Sequence, residues 1–161
     1  MSALLLTAAG VAITTAMAVP AYAADPIKVR LSPIQGGNGM SVSGTTVRDV
    51  FQFDGSGSTV TISASTGPVS ALSGCTQIGA SKVQCSGVVL IQALSGSGND
   101  VITNNTAVRM GVNGGSDNDT LVGGSGKDTL NGGFGVDDAN GRGGIDTCSA
   151  EILLSCEEVT S

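Results

Sequence analysis

The sequence predicts an all-β protein: an N-terminal β-region that runs on into a short parallel roll, closed by a disulfide-tied C-terminal cap. Three observations predict it. Glycine supplies 25 of the 161 residues, roughly twice the usual share of about 7%, without the every-third-residue spacing of collagen. Apolar residues in the first half alternate with polar ones, as on a half-buried strand, and nowhere repeat at a helical period. From Ser95 onward a Gly/Asp-rich unit recurs, settling into steps of nine residues. With 2% aromatic residues and no Trp, a large aromatic core cannot be built, so something else must hold the chain together.

Composition also excludes function classes. There is no His, so Ser-His-Asp and Cys-His chemistry, His-ligated zinc and a His general base are all out. No Ser sits in a Gly-x-Ser-x-Gly turn, and the reading is non-enzymatic. The net charge is -6, and the surplus carboxylate lies entirely in the C-terminal part, where Ile91 to Ser161 carries ten acids against three bases. Such a surface repels phosphate, against nucleic acid and anionic membranes as partners, and attracts cations.

Taken in order, residues 1–23 read as a secretory signal peptide. Ala3 to Val19 is an apolar Ala/Leu/Val-rich run, Pro20 breaks it, and Ala21-Tyr22-Ala23 offers a small-x-small cleavage site. The mature protein is then expected outside the cell and free of the membrane. Residues 24–44 are polar, Gly-rich and unpatterned, and are expected to form a flexible arm. Residues 45–94 are strand-like: Thr46 to Phe53 is rich in β-formers, Asp54 to Gly57 is a turn, and Val60, Ile62 and Ala64 share one face. Val88 to Ile91 is short and apolar enough for a buried strand. The four Cys of an exported chain read as disulfides. Of three possible pairings, closeness in sequence favours Cys75–Cys85 and Cys148–Cys156.

Residues 95–149 hold the repeats. Aligned on aspartate they are Ser95-Gly-Ser-Gly-Asn-Asp100, Gly114-Gly-Ser-Asp-Asn-Asp119, Gly123-Gly-Ser-Gly-Lys-Asp128, Gly132-Gly-Phe-Gly-Val-Asp137 and Gly141-Arg-Gly-Gly-Ile-Asp146. The last four aspartates are nine apart, while Asp100 precedes Asp119 by two repeats plus one residue. An apolar centre follows each aspartate at Ile102, Leu121, Leu130, Ala139 and Cys148. Tight turns after three-residue strands need residues that accept positive φ and leave carbonyls uncovered, hence the glycines. A short carboxylate closes each turn. Calcium takes six to eight hard oxygens and mixes carboxylates with carbonyls, which two stacked turns can supply and one cannot. If successive turns alternate between two edges, turns 18 residues apart stack. Asp119 then stacks with Asp137, and Asp128 with Asp146, giving two sites. Asp100 adds a third below Asp119 if the extra residue is absorbed as a bulge.

These repeats resemble those of the haemolysin-type calcium-binding (RTX) proteins, G-G-x-G-x-D-x-U-x, and with the flanking cysteines the chain looks like their small exported bacterial members. The resemblance implies a calcium-bound parallel β-roll acting outside the cell. The expected calcium ligands are the turn residues Gly96, Ser97, Gly98 and Asp100; Gly114, Gly115, Ser116, Asp117 and Asp119; Gly123, Gly124, Ser125, Gly126 and Asp128; Gly132, Gly133, Phe134, Gly135 and Asp137; and Gly141, Gly143, Gly144 and Asp146. Asp117 stands for a glycine but tolerates the left-handed region, while Arg142 and Ser95 stand for glycines and weaken their turns. Residues 150–161 are expected to cap the open end. The function expected is that of a structural or adhesive calcium-binding protein. The alternative is a calcium-dependent binding module for a glycan or ordered surface, using either the N-terminal β-region or an outward row of Thr120, Thr129 and Thr147.

Overall fold

The computed structural model describes residues 25–159, so the expected signal peptide lies outside the described residues. The described chain is built of strands alone: β1 (Ile27–Ile34), β2 (Gly37–Ser43), β3 (Val50–Ser56), β4 (Thr59–Ala64), β5 (Val69–Ala71), β6 (Cys75–Gly79), β7 (Lys82–Cys85), β8 (Val88–Ser97), β9 (Val101–Asn104), β10 (Met110–Ser116), β11 (Thr120–Val122), β12 (Thr129–Phe134), β13 (Asp138–Asn140), β14 (Thr147–Ser149), β15 (Ile152–Leu154) and β16 (Glu158–Val159). They form two eight-stranded sheets, ordered β16-β14-β12-β10-β8-β2-β1-β5 and β15-β13-β11-β9-β3-β4-β7-β6.

From β8 onward the chain passes from one sheet to the other at every strand, and each strand lies parallel to the one two places on. Nine residues per strand and turn make eighteen per coil: Gly111 faces Thr129 and Thr120 faces Asp138. The inward residue of each short strand is the apolar centre read from the repeat. Val42, Ala93, Val112, Leu130 and Cys148 form one inner row, and Phe51, Ile102, Leu121, Ala139 and Leu153 the other. All but the partly buried Leu153 are buried. The last coils add only one such side chain per strand, and the smallest, so the core thins toward the C-terminus. It is thickest around Phe51 and Phe53, packed edge to face with centroids 5.7 Å apart.

Residues 25–44 do not form the loose arm expected over 24–44. β1 and β2 are an antiparallel hairpin, and β2 pairs in parallel with β8. Ile27, Val29, Met40 and Val42 are buried, and Gln35-Gly36 makes the hairpin turn, with Gly36 at φ 89°. A Gly-rich composition hid two short runs of alternation. Both disulfides join the pairs favoured by sequence closeness. Cys75–Cys85 ties β6 to β7, and Cys148–Cys156 ties β14 to the C-terminal segment.

Candidate metal centre

The turns fall on two edges. Where the chain crosses from the first sheet to the second lie turns 95–100, 114–119 and 132–137; where it returns lie 123–128 and 141–146. Asp100 does join Asp119 and Asp137. The extra residue is taken up on the opposite edge, in the turn from Asn104 to Met110, since β8–β10 and β9–β11 are both offset by nineteen and β10–β12 by eighteen.

Each aspartate closes its column in the same way. One carboxylate oxygen accepts the backbone N–H one coil back. The Asp100 N–H donates to Asp119 Oδ1 (2.9 Å) and the Asp119 N–H to Asp137 Oδ1 (2.8 Å). On the other edge the Met110 N–H donates to Asp128 Oδ1 (2.6 Å) and the Asp128 N–H to Asp146 Oδ1 (2.8 Å). The second oxygens of Asp100, Asp119, Asp137 and Asp146 are buried and have no hydrogen-bond partner among the described residues. Leaving a buried carboxylate oxygen unpaired is costly, and these four stand at matching positions along the two columns. Asp128 differs, because its Oδ2 accepts the Gly124 N–H at 2.6 Å.

The first glycine of each turn shows where that place is. A Cβ at Gly114 would meet Asp119 Oδ2 and the Gly132 carbonyl, and at Gly123 it would lie 2.6 Å from both Asp128 Oδ2 and the Gly141 carbonyl. Glycine is required at these two positions for space, where a carboxylate and the next coil's carbonyl converge. The second glycines serve conformation: Gly96, Gly115 and Gly133 have φ near 110°. Asp117 takes φ 78° and Arg142 φ 63°. The Arg142 guanidinium turns away from the carboxylates and donates to Asn104 O (3.3 Å) and Asn105 Oδ1 (3.1 Å).

Among the described residues no three His, Cys, Asp or Glu side chains converge as a metal cluster. The donor set is instead carboxylate and backbone carbonyl oxygen, which suits a hard cation and not zinc. The residues present fit calcium. At Ser95 and Asn104, however, side chains fill the corresponding space. The Ser95 hydroxyl donates to the Gly114 carbonyl (2.6 Å). The buried Asn104 amide donates to Val108 O (2.9 Å) and accepts from the Thr106 N–H (3.0 Å).

Burial sets the electrostatics. It raises the Asp100 carboxyl to about 7, against the lowering effect of the Asp49 N–H and with help from the Asp119 charge. It raises Asp119 and Asp128 to about 6. Asp146 is raised as well, by burial first, then by the neighbouring Glu157 charge against the opposing Lys127. In the unfolded chain these groups titrate near 3.8, so the fold binds their protons more tightly. Without a cation, the stability these groups contribute is therefore fully present below about pH 4 and is lost as pH rises through 6–7. In excess chelator the protein should melt at a higher temperature at about pH 5 than at about pH 7.5; scanning calorimetry showing the reverse order would refute this.

Sequence reasoning missed several groups in these columns. Asp49 precedes Asp100 on the first edge, and its N–H donates to Asp100 Oδ1 at 2.7 Å. Gly44 and Asp49 keep the repeat's first and sixth positions, a spacing that was there to be seen. Glu151 and Glu157 end the columns, accepting the N–H groups of Asp137 (2.9 Å) and Asp146 (2.8 Å). No period announces them. The expected threonine row is not assembled: Thr129 and Thr147 are neighbours in one sheet, but Thr120 lies in the other, beside Val101 and Asp138. A nine-residue step changes sheet, so only every second repeat shares a face.

Two stacked columns of Gly/Asp turns, with unpaired carboxylate oxygens along both edges, define a repeat protein whose turns present hard oxygen donors. Residues 113–148 match the family described as the RTX calcium-binding nonapeptide repeat, in four copies. That segment is an RTX repeat, and the chain is a calcium-binding repeat protein. Searches of curated proteins and of solved structures find no match.

Proposed function

We propose that this is an exported, non-enzymatic protein whose repeats close into a β-roll on calcium, and which serves outside the cell as a structural or adhesive element. The observation that carries the reading is the convergence of an aspartate Oδ2 with a carbonyl of the neighbouring coil, Asp119 with Gly132 and Asp128 with Gly141, in columns where the second oxygens of Asp119, Asp137 and Asp146 are buried and unpaired. Two ions are assigned. One would be held between turns 114–119 and 132–137 by Asp119, Asp137 and the carbonyls beside them. The other would lie between turns 123–128 and 141–146, held by Asp128, Asp146 and the Gly141 carbonyl. When bound, calcium neutralises carboxylates that otherwise repel one another across a column. The two disulfides support an oxidising, extracellular destination. The acidic C-terminal part and the lack of His support a binding role over catalysis.

Calcium titration by calorimetry tests the reading. Two or more ions per chain are expected. One ion or none would overturn it.

A further inference from the structure

We propose a third cation site of a different make, resting on the same calcium reading: a terminal site on the second edge whose outer half comes from the non-repetitive C-terminal segment, Ser155 to Glu157. The repeat match ends at residue 148, and nothing in the spacing of Leu154-Ser155-Cys156-Glu157 continues the nonapeptide. The fold nevertheless places this segment one coil beyond turn 141–146. Thr147 faces Glu158 in the register of β14 with β16, which puts Glu157 in the column of Asp128 and Asp146.

Four observations converge on this place. Asp146 is fully buried, and its Oδ2 has no hydrogen-bond partner among the described residues. A Cβ added at Gly141 would meet both that oxygen and the Ser155 carbonyl, the same convergence seen at Gly114 with Asp119 and the Gly132 carbonyl. Ser155 adopts φ 52°, the left-handed conformation that this chain's other turns give to Gly, Asp117 or Arg142. Finally, Glu157 accepts the Asp146 N–H through one carboxylate oxygen, at 2.8 Å. That is the bond each repeat aspartate makes to the coil before it, and it leaves the second oxygen of Glu157 for a cation.

The donor set is thus two carboxylates and a carbonyl, all hard oxygens, which selects a calcium-like divalent ion. The Cys148–Cys156 disulfide fixes the segment that carries Ser155 and Glu157 against β14, so the outer half is held in place by a covalent link in place of a further repeat. The last coil is also shortened: β16 follows β14 at a register of eleven residues, against eighteen within the repeats. A site here closes the end of the winding with charge neutralised, where an unpaired carboxylate would otherwise remain.

Calcium titration of the oxidised full chain by calorimetry, at free calcium up to about 1 mM, tests this with two variants. Wild type should bind three ions. Glu157→Gln keeps an oxygen to accept the Asp146 N–H but removes the charge, and should lose one ion or weaken one step by about tenfold or more. Glu157→Asp, the residue the repeats use in this column, should keep the third ion. A wild-type count of two overturns the terminal site and leaves the repeat reading standing. An unchanged Glu157→Gln titration, or equal losses in both variants, also overturns it. A wild-type chain binding no calcium defeats the repeat reading itself, and with it the terminal site.

Discussion

In excess chelator at neutral pH, amide hydrogen exchange should rise toward unfolded-chain rates in β11 to β16, while β1 to β8 remain protected. The difference follows from where the core lies. The N-terminal half buries Ile27, Val29, Met40, Val42, Phe51, Phe53, Val60, Ile62 and Val83 and is cross-linked at Cys75–Cys85. At the boundary, turns 95–100 and 104–110 hold their polar groups with the Ser95 hydroxyl and the Asn104 amide. Among the described residues the last coils bury only Leu121, Leu130, Ala139 and Cys148 as apolar side chains, and they hold the unpaired carboxylates of Asp119, Asp137 and Asp146. A ligand at a hundred times its Kd contributes about 2.7 kcal/mol per site. Two such sites are worth about as much as the whole stability of a small domain. Removing them should therefore unfold the C-terminal coils without unfolding the rest. Restoring calcium should return protection. Uniform exchange across both halves, or protection unchanged by chelator, would refute the division.

The second large effect is expected from a single methyl group. In Gly123→Ala the new Cβ would sit 2.6 Å from Asp128 Oδ2 and 2.6 Å from the Gly141 carbonyl. Real Cβ atoms do not approach so closely, and both neighbours belong to a packed column, so the two coils must part. We expect a loss of about 2 kcal/mol, in the range of overpacked cores, and one fewer calcium ion per chain. The matching control is Gly111→Ala in β10, where an added Cβ meets nothing within 4 Å. Alanine there should be neutral or slightly stabilising, by up to about 1 kcal/mol. Equal effects of the two substitutions in thermal melts with calcium present would show that the turn glycine is not kept for space.

Much of the C-terminal architecture was legible in one dimension. A nine-residue step with a single apolar centre, read with the resemblance to RTX repeats, implies short parallel strands, alternating edges and the partners of Asp119 and Asp128. Asp100 was placed correctly as well, although its extra residue went to the Asn104 turn and not to a bulge beside it. The N-terminal hairpin was not legible, because its glycines outweighed two brief alternations of Ile27, Val29, Met40 and Val42.

The alphabet of the repeats carries the donor chemistry, since glycine leaves carbonyls bare and aspartate reaches back over its own turn, and both properties are local. The members of the columns that lie outside the period are another matter. Asp49 is separated from Asp100 by an excursion through β4 to β7, and Glu151 and Glu157 follow at irregular steps. Only the sheet register brings them into line, because parallel pairing sets neighbours by position across the ladder whatever the chain does between them. The same register separates Thr120 from Thr129 and Thr147, and it puts the Ser155 carbonyl beside the unpaired oxygen of Asp146.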